Sequence, residues 1–286
     1  MPLKRSLIFI LLMSLGLGAQ AYERRYMAAM EDSEWTLTDD SAILCRAEHP
    51  IPRFGKAIFS QEAGRGLRLE LISRLAFKRG INVELRSKTT SWNAHETRAV
   101  LGRFETRGGN SLFKISSSIA EQTFFELGRG FHPSFLFYLD YPLVASISTV
   151  RFGEVEKEFN RCVAQLYQRN YEDVRMSSIH FEPDHEFASI RQEETAFQGM
   201  LDYLQVDQGI SEILVTGHAD NTGLACYNDG LSERRAWYVY DLLVACGIDS
   251  SLLRVDYAGE YQPVIKASGK KFRAANRRVT VELRRY

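Results

Sequence analysis

The chain has 286 residues, of which 45% are hydrophobic and 25% are charged, and its 36 basic and 36 acidic side chains balance. This length is typical of about two domains, and the composition is that of a globular protein. The balanced charge gives no electrostatic reason to expect a nucleic-acid partner, and the lack of low-complexity or long like-charge runs argues against disorder.

Residues 1–21 are typical of a secretory signal peptide. Lys4 and Arg5 precede an apolar stretch at 7–17, and Ala19-Gln20-Ala21 forms a cleavage site. An uncleaved membrane anchor is the alternative, but the apolar stretch is shorter than the roughly 20 residues that span a bilayer. We therefore expect an extracytoplasmic protein, in the bacterial periplasm.

Residues 22–170 show mostly strand patterns. Ile81, Val83 and Leu85 alternate with polar residues, as in a half-buried strand. Further strands are expected at 35–37, 57–60, 67–73, 112–115, 135–139 and 144–150, and helices at 119–127 and 155–167. These patterns predict a β-rich N-terminal domain.

Residues 171–286 alternate between strand and helix patterns. Strands are expected at 174–181, 213–215, 253–257 and 279–283, with one helix at 188–206 and another after Ser232. This β-α-β-α-β-β order predicts a second domain of the α/β (α+β) class. Because no Pro/Gly-rich linker separates the halves, we expect them to contact each other.

The stretch from Ile213 to Arg235 is the most distinctive part of the chain. A short apolar strand leads into a polar loop between Gly217 and Gly223, and Ser232 is a suitable N-cap for the following helix. If the strand end and the helix start meet, Asp220 and Arg235 lie at the opening of the same cleft. A carboxylate and a guanidinium held apart can bind the ammonium and carboxylate groups of a zwitterion. The alternative, which spacing alone favours, is a salt bridge between the two side chains.

Four cysteines in a secreted chain allow three pairings. A Cys45–Cys162 bridge would join the start of the first domain to its end. A Cys226–Cys246 bridge is harder to form, since Cys246 lies about 21 Å beyond Ser232 along a helix. A small buried residue on the apolar helix face is the equal alternative for Cys246.

Catalytic and metal-binding motifs are missing from the sequence: it has no nucleophile elbow, P-loop or paired-histidine zinc motif. His180, Glu182, Asp184, His185 and Glu186 come closest to a metal-binding cluster, but a strand end and a turn explain them better. We therefore predict no cofactor, no metal and no enzymatic activity.

The second domain resembles the OmpA-like peptidoglycan-binding domain. The shared residues are Gly217-His218-Ala219-Asp220-Asn221-Thr222-Gly223, Tyr227-Asn228, Leu231-Ser232-x-x-Arg235-Ala236 and Asn276-Arg277-Arg278-Val279. In that family, positions matching Asp220 and Arg235 hold the diaminopimelate of the cell-wall stem peptide. The resemblance also places Thr222, Asn228 and Arg278 at the groove. Ala219 departs from the family, in which many members have Thr, and so lacks a hydroxyl.

The first domain resembles the MotY family of sodium-type flagellar motor proteins. The shared residues are Tyr22-x-x-Arg25-Tyr26, Trp35, Cys45, His49-Pro50-Ile51-Pro52-x-Phe54-Gly55-x-Ala57-x-Phe59-Ser60 and Cys162. The resemblance implies a Cys45–Cys162 disulfide, with Cys226 and Cys246 outside the pattern. It also implies a periplasmic T ring, formed with a MotX-like protein on the flagellar basal body, that places the sodium-driven stator.

The expected function is therefore a wall anchor in the flagellar motor. One alternative is a general envelope-stability protein with the same wall domain and no motor role. Another is an enzyme acting on the wall, for which the sequence offers no nucleophile or metal site.

Overall fold

The computed structural model describes residues 23–89, 97–188, 194–266 and 269–285. The expected signal peptide lies outside these residues. None of the helices within the described ranges is both long and apolar enough to cross a membrane.

The N-terminal part consists of two five-stranded sheets and two helices. Its strands are β1 (Arg24–Tyr26), β2 (Thr36–Asp40), β3 (Leu44–Ile51), β4 (Gly55–Glu62), β5 (Arg68–Phe77), β6 (Asn82–Lys88), β7 (Thr97–Glu105), β8 (Gly109–Ser116), β9 (His132–Phe137) and β10 (Leu143–Ser146). Its helices are α1 (Ser118–Gly128) and α2 (Phe152–Gln165). One sheet has the order β1-β10-β9-β6-β7 and the other β2-β3-β4-β5-β8.

The two sheets share one aromatic core. The rings of Phe113 and Phe135 stack with centroids 6.0 Å apart, and those of Phe54 and Phe137 lie 5.8 Å apart. Each pair joins one sheet to the other, so the inward-facing positions of both sheets bury one continuous apolar layer. The prediction of a β-rich N-terminal domain is confirmed.

A disulfide fastens helix α2 to strand β3. Cys45 and Cys162 are bonded, with Cα atoms 5.9 Å apart, and both are buried. The bridge spans 117 positions of sequence, so it strongly reduces the conformational entropy of the unfolded chain and thereby stabilises the fold. The pairing implied by the MotY resemblance is confirmed.

The C-terminal part is a four-stranded sheet with helices. Its elements are α3 (Tyr171–Val174), β11 (Met176–His180), α4 (Glu194–Val206), β12 (Glu212–Gly217), α5 (Ala225–Ala245), β13 (Leu253–Tyr257), α6 (Lys270–Asn276) and β14 (Arg278–Arg284). The sheet order is β11-β14-β12-β13, with β12 parallel to β13 and antiparallel to β14. The predicted class is confirmed, and α6 adds a short helix before the last strand.

The start predicted for helix α5 is wrong. The helix begins at Ala225, and Ser232 lies two turns inside it. The Ser232 hydroxyl donates to the Asp229 carbonyl 2.7 Å away and accepts from the Gly259 N–H. Ser232 therefore ties the helix to the turn after β13 instead of capping it.

Both expectations for Cys246 are also wrong. Cys226 is in the first turn of α5 and Cys246 follows its last residue, so a whole helix of about 30 Å separates them. Both are exposed free thiols, so Cys246 is neither buried nor bridged to Cys226.

The two parts of the chain contact each other directly. The Tyr167 hydroxyl donates to the Gly199 carbonyl at 3.2 Å, and the rings of Tyr167 and Tyr203 lie 5.8 Å apart. These contacts agree with the expectation from the short junction.

Candidate functional site

The end of strand β12 approaches helix α5 unusually closely. A Cβ atom on Gly217 would lie 1.9 Å from the Ser232 carbonyl oxygen, so only glycine fits there. The Ala219 N–H then donates to the Gly259 carbonyl at 2.8 Å. This junction fixes the position of the loop that carries Asp220.

A cavity of about 410 Å³ opens between this loop, α5 and α6. That volume is in the range of small-molecule sites. Its lining residues are Pro183, Asp184, Ala219, Asp220, Thr222, Asn228, Leu231, Arg235, Lys270, Arg273 and Arg277.

Asp220 is held by two hydrogen bonds. Its Oδ1 accepts from the Thr222 N–H at 2.9 Å, and its Oδ2 accepts from Arg277 Nη1 at 2.9 Å. Burial acts to raise the pKa of Asp220, but the bonds from Arg277 and Thr222 hold that pKa below its usual value. Asp220 is therefore a carboxylate at neutral pH.

Arg235 forms a buried part of the wall and has no solvent-exposed surface. Its guanidinium donates to the carbonyls of His185, Glu182 and His218 at 2.8, 3.1 and 3.4 Å. The guanidinium carbon also lies 5.0 Å from the centre of the Phe181 ring. A guanidinium has more N–H donors than these three contacts use.

The buried position of Arg235 affects its acidity. Burial, followed by the nearby charge of Arg277, lowers the pKa of Arg235 to about 10. The side chain still carries its charge at neutral pH. It is both a structural element and a source of positive potential.

Helix α6 adds further cations to the cavity. Lys270 and Arg273 lie on this helix, and Arg277 follows its last residue. Arg277 is oriented by its Nε, which donates to the Phe181 carbonyl at 2.9 Å. Within the described residues, the guanidinium of Arg273 has no hydrogen bond or ion pair. Among the described residues, four cations and two carboxylates, Asp184 and Asp220, therefore line the cavity, which favours anionic ligands.

Four of the five predicted site residues line the cavity: Asp220, Arg235, Thr222 and Asn228. Asn228 is buried, and its amide donates to a Glu260 carboxylate oxygen at 2.7 Å. The fifth, Arg278, is not a lining residue. It is buried in β14 and donates to the Gln262 carbonyl at 3.3 Å.

Sequence reasoning missed Arg277, Arg273 and Lys270. The Asn276-Arg277-Arg278-Val279 motif contains the signal for Arg277, but it does not say which arginine faces the ligand. The alternative of a salt bridge between Asp220 and Arg235 is also wrong in its partner, because Asp220 pairs with Arg277 and not with Arg235.

The segment at 182–186 contributes backbone groups to this site. The carbonyls of Glu182 and His185 accept hydrogen bonds from the Arg235 guanidinium. Within the described ranges, no group of three or more His, Cys, Asp or Glu side chains is arranged to hold a metal ion.

Two families match the sequence. Residues 26–168 match the MotY N-terminal domain, and residues 186–277 match the OmpA family. The sodium-type flagellar protein MotY of Vibrio parahaemolyticus is 27% identical over 285 residues, which cover 94% of each chain. The outer membrane protein A of Bordetella avium is 36% identical over 74 residues, or 26% of this chain and 38% of that protein.

Solved structures are similar to part of the chain. The peptidoglycan-associated lipoprotein from Burkholderia pseudomallei is 25% identical and covers 38% of this chain and 90% of its own, with a TM-score of 0.35. The cell wall anchor of the T6SS from Pseudomonas aeruginosa is 28% identical and covers 39% and 81%, with a TM-score of 0.34.

The MotY match covers half of the chain and the similarity to Vibrio MotY extends through both parts, which confirms the resemblance. The chain belongs to the MotY family of flagellar proteins and carries an OmpA-family domain in its C-terminal half.

Proposed function

We propose that this protein is a non-enzymatic, periplasmic component of the flagellar motor that binds peptidoglycan non-covalently. The observation that carries the wall-binding part is the cavity in which Asp220 lies beside Arg235 and Arg277. We assign the binding to residues 171–286 and partner docking to residues 22–170.

The proposed ligand group is the diaminopimelate of the stem peptide, which ends in an amino-acid head. Its ammonium group would bind the Asp220 carboxylate. Its carboxylate would take the N–H groups of Arg235 that the three carbonyls leave free, together with Arg277. Lys270 and Arg273 would attract further carboxylates of the peptide, since both cations line the same cavity.

The motor part of the proposal rests on the whole-length similarity to a flagellar MotY protein. The N-terminal domain would dock on the basal body and form a T ring with a MotX-like protein. The ring would hold the sodium-driven stator against its reaction torque. Many weak wall sites in one ring would act together through avidity.

Co-sedimentation with purified sacculi tests wall binding. The protein should pellet with sacculi, and free diaminopimelate should release it in a concentration-dependent way. Failure to pellet, or pelleting that diaminopimelate does not affect, would contradict the proposed ligand.

Localisation of a tagged protein tests the motor role. The tagged protein should form foci at basal bodies and become diffuse in cells that lack them, and deletion should stop swimming while filaments remain. Foci that are independent of basal bodies, with leaky or misshapen cells after deletion, would instead support the envelope-stability alternative.

A further inference from the structure

A second cavity, of about 430 Å³, is a more open surface depression than the first and lies on the neighbouring face of helix α5. It is lined by Glu186, Phe187, Glu233, Arg234, Trp237, Tyr238 and Asp241. Phe187 is 69% exposed and Trp237 is 48% exposed. Large aromatic side chains left this open beside a concave surface are typical of a binding site.

The aromatic side chains of this cavity are held in place by other rings. Phe187 meets Tyr238 edge to face at 5.3 Å, and Trp237 meets Tyr240 in the same way at 5.1 Å. Glu186 and Arg234 form an ion pair at 2.5 Å across the cavity wall. The aromatic surface is therefore preorganised, which lowers the entropy cost of binding.

The two cavities share their walls. The segment after β11 gives Pro183 and Asp184 to the first cavity and Glu186 and Phe187 to the second. Helix α5 gives Arg235 to the first and Asp241 to the second, about 9 Å further along its axis. A ligand with two linked parts can reach both cavities by crossing this segment.

We propose that the second cavity binds a sugar of the peptidoglycan strand whose stem peptide occupies the first cavity. This inference rests on the proposed wall-binding function. The C–H face of a sugar ring can pack on Trp237 and Phe187. The carboxylates of Glu233 and Asp241 can accept hydrogen bonds from sugar hydroxyl and acetamido groups.

The charges around the aromatic rings favour a sugar over a protein partner. Within the part of the chain that the structure describes, three carboxylates and one arginine line the second cavity. The cores of protein–protein interfaces are depleted of charged residues, because each buried charge must be desolvated and paired. A sugar supplies many hydroxyl donors and keeps the carboxylates partly hydrated.

The distribution of charge between the two cavities indicates how the ligand would be oriented. Lys270 and Arg273 stand at the α6 side of the first cavity and suit the carboxylates of the peptide. The aromatic cavity on the other side suits the uncharged sugar. The ligand would therefore lie with its charged end at α6 and its sugar beside Trp237.

The test compares two ligands, the disaccharide-linked stem peptide and the same peptide without sugar, by calorimetry on the whole secreted chain. The disaccharide form should bind about tenfold more tightly to the wild-type protein, a gain of the size expected for an added aromatic contact. Trp237→Ala should remove this advantage and leave the Kd of the bare peptide unchanged. Tyr261→Ala, at a 70% exposed aromatic outside both cavities, is the matched control and should keep the advantage.

Each other outcome overturns the inference in a distinguishable way. Equal affinity of the two ligands for the wild-type protein would exclude the sugar site and leave the proposed wall function standing. An advantage that survives Trp237→Ala would place the sugar elsewhere and leave the second cavity for a protein partner. Absence of binding for both ligands would overturn the proposed function as well.

Discussion

Asp220 and Arg277 form an ion pair in the wall of the first cavity, with Oδ2 2.9 Å from Nη1. Their side chains are only 11% and 12% exposed, so the pair is shielded from solvent. In the proposed complex, the ligand ammonium group would share Asp220 with Arg277, because a carboxylate has more acceptor positions than the bonds from Thr222 and Arg277 occupy.

Arg277→Gln should weaken binding of a diaminopimelate peptide about tenfold, since hydrogen bonds to charged groups contribute roughly 1.5–3 kcal/mol. Arg278→Gln is the matched control, because Arg278 does not line the cavity. Its Kd should stay within about twofold of wild type. Calorimetry measures both, and a larger loss in Arg278→Gln would return the ligand-binding role to Arg278.

Arg235→Ala should destabilise the C-terminal domain by about 3 kcal/mol or more, because three backbone carbonyls lose their donor and a buried cavity opens. Arg234→Ala is the neighbouring control, since its ion pair with Glu186 is exposed and worth at most about 1 kcal/mol. Urea unfolding compares them, and equal stability of the two variants would show that Arg235 has no structural role.

Alkylation of the native protein should modify two thiols, Cys226 and Cys246, and all four cysteines after reduction and unfolding. Cys45→Ser with Cys162→Ser should lower the free energy of unfolding by roughly 2–5 kcal/mol. Cys226→Ser with Cys246→Ser should change it by less than about 0.5 kcal/mol, as expected for exposed sites. Mass spectrometry and thermal unfolding measure these effects. Alkylation of fewer than two thiols in the native protein would contradict the free state of Cys226 and Cys246, and alkylation of more than two would contradict the Cys45–Cys162 bond.

His218 should make the protein less stable in mild acid. Burial, followed by the charge of Arg278, lowers the pKa of His218 from 6.5 to about 4. Between pH 6.5 and about pH 4, His218 is protonated in the unfolded chain but not in the folded chain. The free energy of unfolding therefore falls as the pH falls through this range. The free energy of unfolding should therefore drop less between pH 7 and pH 5 in His218→Leu than in wild type. An unchanged slope in His218→Leu would contradict the assignment.

The strands were predictable because they follow strong local patterns, whereas the cavity residues between Gly217 and Arg235 were predicted from the resemblance to the OmpA-like domain. The alternation of Ile81, Val83 and Leu85 with polar residues predicted a strand here, and strand β6 runs through this region with Val83 and Leu85 buried, although Glu84 between them is buried as well. Gly217 and Asp220 belong to a fixed loop geometry that the family motif records. Neither prediction needs knowledge of distant contacts.

The remaining errors come from positions that tertiary contacts decide. Ser232 has the chemistry of an N-cap, but its hydroxyl bonds within α5 and to the Gly259 N–H, and no side-chain cap marks the true start at Leu224. Arg277 and Arg278 are adjacent at the start of β14, where successive side chains point to opposite faces. A one-residue shift exchanges their roles, and a motif alone does not fix that shift.

Co-sedimentation of Asp220→Asn with purified sacculi tests the central claim most directly. Asn keeps the size of the side chain and an oxygen for the Thr222 N–H, while it removes the charge that an ammonium group needs. Asp202→Asn, on helix α4 and outside the cavity, is the matched control. We expect Asp220→Asn to remain folded by circular dichroism and to lose most of its co-sedimentation, while Asp202→Asn pellets like wild type. Undiminished pelleting of a folded Asp220→Asn protein would contradict binding of the wall at this cavity.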